Sequence, residues 1–198
     1  MTEMTRMRRI QVDCLPTLDG TIMDFETTHL DVNKGELITA GFLSQDGIVI
    51  LQRLAMPQDE FDKIVKNETK NKMKPWYAFN KRFEESFCQL EIEHDLQQVE
   101  HEAAFMALKN EDLLDHYNSL CDPIFNEEIE SFWNAWKKTE NLVFISKIVR
   151  HNYCCLTKEY YLKLRRINEL PPNQIGIFPS SALIEKRYIR RQLGFSME

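Results

Sequence analysis

Three apolar runs separated by short polar breaks occupy residues 20–54 of the chain. The second and third runs, residues 35–43 and 48–54, are joined by a turn that contains Asp46 and Gly47. An Asp-Gly pair between two apolar runs is a strong hairpin signal, because tight hairpin turns need residues that tolerate positive φ. The pattern predicts a three-strand antiparallel meander, and so a fold built around a sheet.

The first apolar run, residues 20–26, ends in two acids, Asp24 and Glu26. Side chains alternate along a strand, so these two carboxylates point to the same face. Like charges this close repel each other unless something positive lies between them, and divalent cations prefer such hard oxygen ligands. The pair therefore predicts a metal site, with two solvated acids at an exposed strand end as the alternative.

The remainder of the chain is mostly helical in pattern. Pro57 precedes an amphipathic stretch at 58–70, and the aromatic-rich residues 75–79 are a candidate buried strand. From Asn80 onward apolar residues recur every three or four positions, and one more short helix is predicted at 182–191. The order of elements predicts an α/β domain whose mixed central sheet opens with the meander and is flanked by helices.

With 198 residues, the chain is expected to form one domain, 1–198, with a core at about 20–168 and a basic tail at 169–198. It has no apolar run of about 18 residues and no apolar signal-peptide core, and its five cysteines lack metal-ligand spacing. We therefore expect reduced thiols, a cytoplasmic location and no membrane association.

The net charge of −6 argues against a protein that coats nucleic acid non-specifically. The acidic excess lies between about residues 84 and 140, where Asp95 is interpreted as a solvated acid. Basic residues cluster instead at three places: Arg6, Arg8 and Arg9; Lys163, Arg165 and Arg166; and Lys186, Arg187, Arg190 and Arg191. These clusters either form a phosphate-binding strip or are ordinary solvated helix surface.

Three short motifs follow one another along the chain: Asp24-Phe25-Glu26-Thr27-Thr28, Asn80-Lys81-Arg82-Phe83-Glu84 and His151-Asn152-Tyr153-Cys154-Cys155. In this order they resemble the motifs of the DEDD group of 3′–5′ exonucleases, which have a ribonuclease H-like fold. That group has Asp-x-Glu on a first strand, Asn-x-x-Phe-Asp at a strand-to-helix junction and, in one branch, His-Asn-x-x-Asp on a late helix. The resemblance covers roughly residues 20–165.

The resemblance implies a metal-dependent exonuclease that hydrolyses phosphodiester bonds at the 3′ ends of DNA or RNA. Such enzymes use two divalent ions about 3.5–4 Å apart, here Mg²⁺ or Mn²⁺, to activate a water and stabilise the leaving oxygen. It implies that Asp24, Glu26 and Glu84 are metal ligands and that His151 is the general base.

The same resemblance implies a set of residues that contact the nucleic acid. These are Thr27, Asn80, Lys81, Arg82 and Asn152. Lys81 and Arg82, together with the late basic residues, would line the path of the substrate strand towards the carboxylates.

Two positions depart from the family pattern. Glu84 replaces an aspartate with the same charge, but Cys155 stands where the fourth aspartate is expected, and a neutral thiol is a weak ligand for Mg²⁺. The site would then prefer Mn²⁺ or a thiophilic ion, recruit another acid, or have lost catalysis while keeping nucleic-acid or partner binding. The candidate acid, Glu159, is one turn further on the same helix face and would have to bridge about 6 Å, which argues against it.

Each motif also has a purely structural interpretation. Asn80 and Glu84 suit a helix start, as the N-cap and a first-turn acid. His151 and Asn152 are compatible with the polar face of an amphipathic helix, and Cys155 with a small core residue. The alternative functions are therefore a catalytically impaired module that binds nucleic acid or a protein, and a structural domain whose acids are incidental.

Overall fold

A computed structural model describes residues 6–13, 18–96, 122–124, 129–166 and 192–193. In these residues the strands are β1 Met7–Val12, β2 Thr21–Thr27, β3 Leu37–Ser44, β4 Gly47–Arg53, β5 Trp76–Ala78 and β6 His94–Asp95. The helices are α1 Gln58–Lys70, α2 Lys81–Cys88, α3 Ile129–Thr139 and α4 Leu142–Arg166. The short helix predicted at 182–191 lies outside the described residues.

The described strands form one mixed sheet in the order β1-β4-β3-β2-β5-β6. The predicted meander is confirmed, because β2 pairs antiparallel with β3 and β3 with β4. On its other side β2 pairs parallel with β5, which in turn pairs parallel with β6. The strand that carries Asp24 and Glu26 is therefore an interior strand with a neighbour on each side. The chain is an α/β protein with helices against a mixed sheet.

The sequence pattern missed the first strand. β1 pairs antiparallel with β4 and places Ile10 opposite Ile50. Its side chains alternate, since Ile10 and Val12 are buried while Arg9 and Gln11 are exposed. The arginines concealed this alternation, although charged residues are what a strand at a sheet edge commonly carries.

Apolar side chains cover both faces of the sheet. On one face Ile22 and Ile50 pack with Trp133 of α3 and Tyr153 of α4. On the opposite face a second cluster combines residues of the same strands with residues of α1 and α2: Met23, Phe42, Leu51, Phe61, Val65 and Phe87. This two-sided burial explains why β3 and β4 are almost continuously apolar in sequence. Asp24 and Glu26 share the face of Ile22, and so point towards α4.

Gly41 of β3 lets α4 approach the sheet closely. It lies directly opposite Asp24 in the β2–β3 pairing. A Cβ at this position would lie 2.1 Å from Oδ1 of Asn152 and 2.7 Å from Cδ1 of Leu156, both on α4. Those distances are far below van der Waals contact, so the helix can lie here only over a residue without a side chain.

We expect Gly41→Ala to lower the free energy of unfolding by about 1–3 kcal/mol, because an added methyl group overpacks the α4 contact. Urea denaturation monitored by circular dichroism measures the change. In an Asn152→Ala background, which removes the nearest atom, the loss should be smaller. Equal losses in both backgrounds would contradict this explanation of the glycine.

Candidate metal centre

Four carboxylates from three different elements lie close enough to act on one another's charge. Asp24 and Glu26 come from β2, Glu84 comes from the first turn of α2, and Glu159 comes from α4. The side chain of Asn80 accepts a hydrogen bond from the backbone N–H of Phe83 and begins α2, as an N-cap does. This cap fixes the helix start that places Glu84 in the interior, where the residue is only 3% exposed.

The predicted ligands Asp24, Glu26 and Glu84 are brought together. Burial raises the pKa of Asp24 well above its usual range, and the charges of Glu26, Glu159 and Glu84 raise it further. Burial likewise raises the pKa of Glu84 to about 8, with Glu26 and Asp95 adding to the shift. For carboxylates buried close together, keeping a proton or binding a cation lowers the free energy.

Glu159 is the fourth carboxylate of this group. The distance of one helical turn from position 155 had argued against it. The residue is only 5% exposed, and its carboxylate shares a hydrogen bond with Asp24. Burial and the charge of Glu84 are the main causes that raise its pKa well above its usual range. Its Oε2 makes no hydrogen bond within the described part of the protein. Because α4 packs across β2 and β3, the carboxylate of Glu159 lies beside Asp24, which helix spacing alone did not predict.

Asn152 holds the acid pair in place. It is fully buried, and its Nδ2 donates to Oδ2 of Asp24 at 2.7 Å and to the backbone oxygen of Asp24 at 2.9 Å. The same amide lies 3.5 Å from Oε1 of Glu26. The residue was predicted to contact nucleic acid, whereas the structure places its side chain between α4 and β2. Asn152 is therefore a positioning residue for the carboxylates.

His151 lies at the edge of the acid group and has two carboxylate neighbours. Its Nε2 is 3.8 Å from Oε1 of Glu26, and its Nδ1 is 2.8 Å from Oδ1 of Asp122. Nζ of Lys158 lies 2.8 Å from the other oxygen of Asp122. Burial lowers the pKa of His151, but Glu26 and Asp122 together outweigh it, and the net shift is upward. Asp122 fixes the orientation of the imidazole ring.

Cys155 completes a compact set of possible ligands with Glu26 and His151. Its Sγ is 3.6 Å from Nε2 of His151, and one donor atom from each of the three residues lies within 4.8 Å of the others. Burial raises the pKa of the thiol well above its usual range, and the charges of Asp24 and Glu26 act in the same direction. Without a bound cation the side chain is therefore a neutral thiol at neutral pH, as the sequence predicts.

Two acids of this region were missed or misassigned from the sequence. Asp122 precedes Pro123 outside all three motifs, so nothing in the sequence linked it to His151. Asp95, interpreted as a solvated acid, is half-buried on β6 beside Ala78, and its charge acts on Glu84. β6 is only two residues long, so the sequence carried no strand pattern that could have placed Asp95 near Glu84.

The predicted nucleic-acid contacts are distributed around the site. Thr27 donates a hydrogen bond from its hydroxyl to the backbone oxygen of His29, at the end of β2. Arg82 is exposed on α2, and Nζ of Lys81 lies 3.5 Å from Glu85 on the same helix. Contact of these side chains with a nucleic acid remains a prediction.

Of the late cluster Lys163, Arg165 and Arg166, the structure describes only the side chain of Lys163. Lys163 is only 5% exposed, and its Nζ is 2.6 Å from Oδ1 of Asp19 and 4.5 Å from the ring centre of Tyr77. It therefore joins α4 to the segment before β2. The basic residues of the tail at 169–198 lie outside the described residues.

No protein-family model, curated protein or solved structure matches this chain. Among the described helices, none is both long enough and apolar enough to cross a membrane. The donors of the site are clustered carboxylates, an oriented imidazole and a thiol.

Proposed function

We propose that this protein is a metal-dependent 3′–5′ exonuclease with a ribonuclease H-like fold, acting on DNA or RNA 3′ ends. The observation that carries the proposal is the convergence of Asp24, Glu26, Glu84 and Glu159 from three elements onto one partly buried site. Burial and mutual repulsion raise the pKa values of Asp24, Glu84 and Glu159, and a divalent cation between the carboxylates relieves that repulsion.

The architecture supports the same proposal. The resemblance implies an acid pair on a first strand and a second acid at a strand-to-helix junction, whereas here β1 precedes the strand that carries the pair. Asp24 and Glu26 lie on an interior strand, and Glu84 follows β5 in the first turn of α2. The third motif lies on α4, which packs over the acid pair. The motifs are therefore neighbours in space, although they are separated in sequence.

Each residue then has a defined task. Asp24, Glu26, Glu84 and Glu159 would hold two Mg²⁺ or Mn²⁺ ions, whose four positive charges match four carboxylates. When bound, such ions lower the pKa of a coordinated water and stabilise the leaving oxygen. Asn152 keeps the carboxylate of Asp24 in one orientation.

His151 is suited to take a proton from the attacking water. Asp122 accepts a hydrogen bond from the Nδ1–H, which leaves Nε2 as the acceptor on the side of Glu26. Asp122 also stabilises the imidazolium that forms, because its carboxylate is held by Lys158.

Cys155 favours a second candidate function, a catalytically impaired module that binds nucleic acid or a protein. Its neutral thiol occupies the place where the resemblance implies a carboxylate. The position of Glu159 beside Asp24 argues against this alternative, because the number of carboxylates is preserved.

The proposal is tested with end-labelled single-stranded DNA and RNA incubated with Mg²⁺ or Mn²⁺. The wild type is expected to shorten the strands from the 3′ end, and Asp24→Ala to show only background, with folding of both checked by circular dichroism. Equal residual degradation by the two proteins would contradict the exonuclease proposal. Retained binding of the labelled strand without cleavage would support the impaired module.

A further inference from the structure

We propose that Glu26, His151 and Cys155 form a three-ligand site for one transition-metal ion of the Zn²⁺ class. Oε1 of Glu26, Nε2 of His151 and Sγ of Cys155 would each supply one bond, and a fourth position would stay open. This inference goes beyond the proposed exonuclease and does not depend on it, because it concerns the binding of an ion in the absence of nucleic acid.

The distances between the ligand atoms fit a tetrahedral centre. Bonds of about 2.0–2.3 Å to oxygen, nitrogen and sulfur at tetrahedral angles separate neighbouring ligand atoms by about 3.4–3.6 Å. Nε2 of His151 lies 3.6 Å from Sγ of Cys155 and 3.8 Å from Oε1 of Glu26. Oε1 of Glu26 and Sγ of Cys155 lie within 4.8 Å of each other, so small side-chain movements would bring all three donors to bonding distance of one ion.

The orientation of His151 is that of a metal ligand. Metal-binding imidazoles almost always donate their second ring N–H to a carboxylate or carbonyl group. Here Nδ1 lies 2.8 Å from Asp122, whose other oxygen lies 2.8 Å from Nζ of Lys158. The lone pair of Nε2 then faces Glu26 and Cys155.

The donor types select the metal. A thiolate and an imidazole favour Zn²⁺ and similar ions over Mg²⁺, which prefers oxygen ligands and a hydration shell. The thiol of Cys155 loses its proton to solvent on binding, so one thiolate and one carboxylate neutralise the two charges of the ion. Three protein ligands with one open position are typical of a catalytic rather than a structural zinc site.

The surroundings of the three ligands provide further donors for the cation. The carboxyl of Asp24 hydrogen-bonds Glu26, and it also contacts Glu159. Only 5% of Glu159 is exposed, and its Oε2 has no hydrogen-bond partner among the described residues. A water would occupy the fourth position, which the protein leaves open. An ion bound here would also engage Nε2 of His151, the atom that the proposed hydrolysis needs as a base.

The test is metal binding by the full-length, reduced protein after removal of metals with a chelator. Zn²⁺ affinity is measured by competition with a chromophoric chelator, and Co²⁺ is added as a spectroscopic probe. We expect one Zn²⁺ per chain, little competition from excess Mg²⁺, and a thiolate-to-cobalt charge-transfer band. Cys155→Ser should weaken Zn²⁺ binding by about 100-fold or more and abolish the band.

Two further variants separate this site from general thiol binding and from misfolding. Asp122→Asn should weaken binding by about 10–100-fold, as for other partners that orient a metal-binding histidine. Cys88→Ser, at a buried cysteine on α2, should bind like the wild type. Unchanged Zn²⁺ affinity in Cys155→Ser, or a Co²⁺ complex without the charge-transfer band, would overturn the proposal. Neither result bears on cleavage with Mg²⁺ or Mn²⁺, which is measured separately.

Discussion

Replacing Glu159 with glutamine is expected to reduce Mg²⁺- or Mn²⁺-dependent cleavage by about 100-fold or more. Glu159 is buried beside Asp24, and with a metal ion bound it would supply the negative charge that the resemblance implies at position 155. Glutamine keeps the size of the side chain but removes the charge that would offset a metal ion. A loss of about 3 kcal/mol of transition-state stabilisation, within the several kcal/mol attributed to metal ions, corresponds to roughly 100-fold in rate.

The measurement is kcat/KM on an end-labelled strand, with Glu140→Gln as the matched control. Glu140 is exposed just beyond the C-terminal end of α3, so its replacement should leave cleavage unchanged. Glu159→Gln with wild-type activity would show that this carboxylate is not needed for metal binding.

A second substitution tests whether Glu159 replaces the carboxylate expected at position 155. If the fourth carboxylate has moved by one helical turn, Cys155→Asp should restore Mg²⁺-dependent cleavage in the Glu159→Gln background. Position 155 precedes 159 on the same face of α4, and its side chain already lies near Asp24 and Glu26. No gain in the double variant would contradict the equivalence of the two positions.

Local patterns predicted most of the described elements but missed β1 and β6. The helix at 58–70, the meander with its Asp46-Gly47 turn and the Asn80 cap all follow from short-range signals. Whether the carboxylate of Glu159 contacts Asp24 depends on how closely α4 approaches the sheet. That approach depends in turn on Gly41, a residue that carried no signal of its own in the sequence.

The candidate site shows the same division between local and long-range information. Alternation along β2 was enough to predict that Asp24 and Glu26 share a face. The role of Asp122 was not predictable, because only the folded structure shows that its carboxylate lies beside the imidazole of His151. Asn152 was selected by its motif, but only its complete burial revealed that it positions Asp24.

In the absence of divalent cations, Glu84→Gln is expected to make the protein more stable by up to about 3 kcal/mol at pH 7. The pKa of Glu84 rises from 4.5 to about 8 because the carboxyl is buried near Glu26 and Asp95. Between these two values the folded protein keeps a proton that the unfolded chain releases, so stability falls as pH rises. Over about 2.5 pH units, at about 1.36 kcal/mol each, the cost reaches about 3 kcal/mol. Glutamine has no proton to release and avoids this cost.

The pH dependence of the stability difference shows whether the buried carboxyl of Glu84 is its cause. The advantage of Glu84→Gln over the wild type should be below about 1 kcal/mol at pH 5, grow towards pH 8 and then level off, because the folded carboxyl ionises there. Urea denaturation in the presence of a chelator measures it, with Glu91→Gln at an exposed position as the control. Excess Mn²⁺ should reverse the order, since a ligand that binds only the folded wild type stabilises it. An advantage that does not change with pH would mean that burial of the carboxyl is not its source.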